Sequence, residues 1–150
     1  MSTPTASTSE RATVKSAFYL SHDPSLIAKV HQAIRDAGAA GWAGCDVVYD
    51  GANEIQVVER GTDRLFTLEP YLDRADLAWT YRKPPHFPEP GVDMPDLATV
   101  LAYGVLCRWE DLFVRLVRTI TEISGQPAWI LDENSVVWDA LAVDPDRVLL

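Results

Sequence analysis

Apolar and polar positions alternate with two periods along this chain, and each period marks its own elements. Val14, Phe18 and Leu20 share one parity while Lys15, Ala17 and Tyr19 share the other, which predicts a strand over 14–20. Ile27, Val30, Ile34 and Ala37 then recur at intervals of three and four, the stripe of an amphipathic helix. Asp23 can accept from the first free backbone N–H groups, Pro24 loses nothing by lacking its own, and Gly38 and Gly41 end the helix. Two-residue alternation returns at 46–49, 54–60, 64–69 and 77–83. The first two flank Asp50-Gly51-Ala52-Asn53, residues that tolerate positive φ in a hairpin turn. Short turns between successive strands imply an antiparallel meander.

The segment from Pro84 to Pro95 breaks this order, because it holds five of the ten prolines. Proline removes a backbone donor and fixes φ, so neither a helix nor a central strand can run through it. Beyond it a helix is expected over 96–106. A second helix, over 109–124, is the strongest element: Trp109, Leu112, Phe113, Leu116, Val117, Ile120 and Ile123 keep one face apolar, and Gly125 and Pro127 stop it. A hairpin follows, 128–131 and 135–138 around Asp132-Glu133-Asn134, and 147–150 is expected to add an edge strand. The first 13 residues, rich in Ser and Thr, read as a disordered tail. The fold expected for 14–150 is therefore a single α+β domain, an antiparallel sheet packed on one face by about three helices.

Charge changes the picture. The chain has 22 Asp and Glu against 13 Lys and Arg, a formal net charge of −9. Phosphate contacts need clustered Lys and Arg, so nucleic acid is not an expected partner. No apolar run reaches membrane-spanning length, and Met1 to Ser9 lacks the apolar core of a signal peptide, so a cytoplasmic protein is expected. Cys45 and Cys107 are too few for a disulfide framework or a zinc site and read as small buried hydrophobes.

Candidate chemistry is thin. His22, His31 and His86 are far apart and never fall at metal-ligand spacing. His31 sits beside a helix stripe, and His86 lies in the proline segment as a pH-sensitive contact. Asp132, Glu133, Asp139, Asp144 and Asp146 lack the glycine and tight spacing of a calcium loop. Neither G-x-S-x-G, nor a P-loop, nor G-x-G-x-x-G occurs, so no catalytic residue, metal or cofactor is expected. Trp79, Tyr81, Trp129 and Trp138 on strands read first as core and second as interface anchors.

The amphipathic helix ending in Ser124-Gly125, followed by Trp129-Ile-Leu-Asp132 and Val136-Val-Trp-Asp139, resembles the corresponding part of the small immunity proteins of bacterial polymorphic-toxin systems. That resemblance covers residues 109–150 and implies a cytosolic protein that binds and neutralises one cognate toxin. Acidity points the same way, because an acidic protein is steered to a basic cleft faster than a neutral one. The contacts expected are Asp73, Asp76, Glu89, Asp93 and Asp96 on or beside the proline segment, with Phe87 as an apolar anchor. The second patch is Asp132, Glu133 and Asp139. Two other classes stand beside this one: a small enzyme or ligand-binding domain with its site between helices and sheet, and an adaptor working through a homodimer interface.

Overall fold

The computed structural model describes residues 16–52, 54–70 and 85–150. In chain order the elements are β1 (Ser16–Ser21), α1 (Leu26–Ala37), a 3-10 turn (Gly38–Ala40), β2 (Cys45–Asp50), β3 (Ile55–Glu59) and β4 (Leu65–Pro70). Then come β5 (Phe87–Pro88), β6 (Leu101–Cys107), α2 (Glu110–Ser124), β7 (Ala128–Leu131) and β8 (Val136–Asp139). The strands form one sheet in the order β2-β3-β4-β6-β1-β7-β8-β5. Every neighbouring pair is antiparallel except β5 and β8, which run parallel.

The expected architecture is thus corrected. The sheet is mixed and eight-stranded, and the described residues hold two α-helices rather than about three. The missing helix is the one expected over 96–106. Asp96 does open a helix-like turn, its carbonyl accepting from Thr99 N at 3.0 Å and Val100 N at 3.2 Å. The chain then straightens into β6, which lies between β4 and β1 in the middle of the sheet. Ala102, Tyr103, Gly104 and Val105 are buried in succession. A strand covered on both faces reads as a continuous apolar run, and such a run cannot be told from a helix by period alone.

Two further differences lie at the C-terminal side of the sheet. The proline segment supplies an edge strand: Phe87 N donates to Ser135 O at 2.8 Å and Glu89 N to Val137 O at 2.9 Å. Pro88, between them, has no N–H to leave unpaired on the free edge. Residues 147–150 do not form the expected strand. Leu149 is held by one backbone bond, Glu133 N to Leu149 O at 2.8 Å, and by its own N–H on the Asp132 carboxylate at 3.2 Å. The strand expected over 77–83, the tail over 1–13 and Asn53 of the turn fall outside the described residues.

The sheet is packed on both faces. On one, α1 buries Leu26, Val30 and Ile34 and α2 buries Leu112, Phe113, Leu116, Val117 and Ile120, against Tyr19, Phe66, Tyr103, Val105 and Ile130 of the strands. On the other, Leu20, Ala102, Leu131 and Val137 form a smaller core with Val100, and Val92 and Leu97 pack against it. The proline segment and its continuation therefore roof the sheet face that the helices leave. Both cysteines are buried, free thiols in the larger core. Burial raises both thiols, Cys107 to about 11, so neither is a ready nucleophile. No helix among the described residues is long and apolar enough to cross a membrane.

Candidate functional site

The described parts of the two patches singled out in the sequence are neighbours in the fold. Because β5 pairs with β8, with Phe87 opposite Val136 and Pro88 opposite Val137, the proline segment and the C-terminal hairpin form one continuous edge. Three side-chain contacts brace it. Trp129 Nε1 donates to Asp93 O at 2.9 Å. Arg147 binds Glu89 Oε1 at 2.6 Å and lies over the Trp138 ring, 5.1 Å from its centroid. On this frame Phe87 is 55 % exposed and Met94 39 % exposed. Asp93 and Asp96 are exposed too, Asp96 capping its turn by accepting from Ala98 N at 2.9 Å.

The second patch divides. Asp132 is buried, and its carboxylate faces inward. Oδ1 accepts from Asn134 N at 2.8 Å and Val136 N at 3.0 Å, while Oδ2 accepts from Trp138 Nε1 at 3.0 Å and Leu149 N at 3.2 Å. Four donors occupy it, so it fixes the hairpin turn and the last residues rather than facing a partner. Glu133 is exposed, with Ser16 Oγ donating to it at 3.3 Å, and Asp139 is exposed while capping Leu141 N at 2.9 Å. Asp73 and Asp76, with Trp79 and Tyr81, lie outside the described residues.

The other polar groups of the interior hold elements together. Asp23, at the entry to α1, accepts from Lys29 Nζ at 2.7 Å, Ser124 Oγ at 2.8 Å and Ser25 N at 2.9 Å. Tyr103 Oη donates to Asp23 O at 2.6 Å, and Tyr19 Oη shares a 2.8 Å bond with Thr121 Oγ1. Burial raises both phenols, Tyr103 to about 12, so they stay neutral at any physiological pH. Burial also works to raise the Asp23 carboxyl, but its bonds to Lys29, Ser124 and Ser25 N outweigh that and leave it below the usual range. Among the described residues no buried side-chain nitrogen or oxygen lacks a partner.

The histidines are placed separately. His31 Nδ1 bonds to Asp50 at the end of β2, and His22 Nε2 lies 3.4 Å from Thr99 Oγ1 with its ring edge-on to Trp129. Among the described residues no group of three His, Cys, Asp or Glu is placed to hold a metal ion.

Two features of the surface escaped the sequence reading. One is a chain of ion pairs, in which Glu59 binds both Arg64 and Arg115 and Arg64 grips Asp111 through two bonds at 2.8 and 3.0 Å. It ties β3 to the N-terminal half of α2, and the separation of these residues in sequence leaves no local signal. The other is a cleft of about 680 Å³ where the proline segment, the end of α2 and the C-terminal hairpin meet. Asp93, Glu122 and Asp139 line it beside Val92, Trp129 and Leu141. Asp93 and Asp139 were expected contacts in separate patches, Glu122 was not, and the stretch between Thr119 and Asp146 lacks Lys and Arg. No protein-family model, curated protein or solved structure matches the chain.

Proposed function

We propose that this chain is a non-enzymatic acidic binding protein that neutralises a basic protein partner by covering part of its surface, as an immunity protein covers its toxin. The observation that carries this reading is the pairing of β5 with β8, which makes one preordered edge of the proline segment and the C-terminal hairpin. On that edge and beside it Phe87, Asp93, Asp96, Glu133 and Asp139 are exposed. A surface whose segments are already fixed loses little conformational entropy on binding, so more of its contact energy becomes affinity. An exposed aromatic ring on a surface that also carries exposed carboxylates suits a partner with an apolar spot inside a basic cleft. The net charge of −9 adds long-range attraction. The encounter belongs in the cytosol, where an inhibitor of this kind would guard its own cell.

The space between helices and sheet supports the enzyme or small-ligand reading less well. It is filled by Tyr19, Tyr103, Phe113 and Leu116, and the polar atoms there are bonded to one another.

Affinity capture with the tagged protein from its source cell, followed by mass spectrometry and gel filtration, tests the proposal. One basic protein recovered at equal stoichiometry, and lost when Phe87, Glu89 and Asp93 are all replaced by Ala, is the expected result. A retained small molecule in place of a protein would refute it.

A further inference from the structure

Some carboxylates of this molecule are paired with cations and others are not. Asp23 is matched by Lys29, Asp46 by Arg60, Glu59 by Arg64 and Arg115, Asp111 by Arg64, and Glu89 by Arg147. Asp96, Glu133, Asp144 and Asp146 are paired with no cation among the described residues, so the cations reach only part of the acidic surface. The cleft between the proline segment, α2 and the hairpin belongs to the unpaired part: no Lys or Arg is among its described lining residues. Asp93, Glu122 and Asp139 come from three separate parts of the chain, and no cation among the described residues pairs with them.

The apolar part of the cleft is as well defined as its rim. Trp129 is held at both ends, its Nε1 on Asp93 O at 2.9 Å and its ring in edge contact with His22 at a centroid distance of 5.9 Å. Val92 and Leu141 extend the apolar lining. A fixed indole beside unpaired carboxylates matches the two needs of a guanidinium, a flat aromatic surface to stack on and acceptors for its in-plane N–H groups. An ammonium offers neither a plane nor a fork, and a neutral apolar group would leave the carboxylates uncompensated.

We infer that this cleft receives an arginine side chain from the basic partner, with Trp129 as the stacking surface and Glu122, Asp139 and Asp93 as the neutralising rim. The inference rests on the binding role proposed above and assigns it a specific pocket.

Tri-arginine amide is the probe, titrated into isotopically labelled protein, and the Trp129 indole N–H resonance, assigned with Trp129→Phe, is the readout. A saturable shift is expected. Binding should weaken about tenfold in Glu122→Gln/Asp139→Asn, a change that removes charge from two exposed rim positions without touching the core. Tri-lysine amide should bind more weakly than tri-arginine. An unmoved Trp129 signal, or a double variant that binds tri-arginine as tightly as the parent, overturns the inference. Failure of the broader reading looks different. A captured partner that is lost by the Phe87, Glu89 and Asp93 variant yet held undiminished by Glu122→Gln/Asp139→Asn keeps the binding role and overturns the cleft. A cleft that binds tri-arginine as expected in a protein that captures no partner upholds the cleft and removes the broader role.

Discussion

Replacing Asp132 with Ala should destabilise the protein by about 3–4 kcal/mol, although the residue lies in an acidic surface hairpin. The magnitude follows from four donors that converge on one carboxylate. The N–H groups of Asn134, Val136 and Leu149 and the indole of Trp138 all lose their acceptor at once. A hydrogen bond to a charged group contributes about 1.5–3 kcal/mol, so the four could sum to about two to three times the value given. The sum is not reached because water can enter the open turn: Glu133 and Asn134 are exposed and can admit solvent to two of the backbone groups. The indole of Trp138 is buried and has no such recourse. Asp132→Asn should lie between, at about half the loss, since one carbonyl oxygen remains while an NH2 faces donors. Urea unfolding of the three proteins at neutral pH, followed by tryptophan emission, gives the order Asp, Asn, Ala in falling midpoint with unchanged slope. An Ala variant within 1 kcal/mol of the parent, by about the scale of surface substitutions, would refute the structural role and return Asp132 to the partner-facing surface.

Leu116→Ala, at a fully buried position of α2, should cost about 2–5 kcal/mol in the same assay, and a loss typical of surface sites would contradict the helix face. The Asp23 carboxyl is lowered in the folded state, so its contribution is complete above the unfolded value of about 4 and is lost as pH falls through the lower folded value. Parent and Asp23→Asn should therefore differ most near neutrality and converge in acid; a gap that stays constant down to acid pH would show that the carboxylate is not selectively stabilised by folding.

Elements with a strong local period were legible in the sequence, whereas those defined by their neighbours were not. The α2 stripe from Leu112 to Ile120 and the Val30–Ile34 stripe of α1 follow from 3.6-residue spacing alone, and both face the sheet as expected. β6 was misread because Leu101 to Cys107 is apolar throughout, and only its place between β4 and β1 decides between strand and helix. Nothing local announces that β1 joins β6 to β7, since those pairings link residues about a hundred positions apart or nearly so. The proline segment was read correctly as a break, but its two-residue parallel pairing with β8 depends on a hairpin far along the chain. Asp132 was expected in a partner-facing patch because Asp is common in exposed turns; the donors that bury it come from Trp138 and Leu149 as well as from the turn itself. The cleft is assembled from three segments, so its carboxylates could be named as acids but not as neighbours.

The most direct test of the binding role is the association rate of the captured partner as ionic strength rises, over the range in which the Debye length falls from about 30 Å to about 3 Å. Attraction between a chain of net charge −9 and a basic surface predicts an on-rate that drops steeply, with a much smaller change in the dissociation rate. An on-rate indifferent to salt would contradict the electrostatic basis of the proposed function.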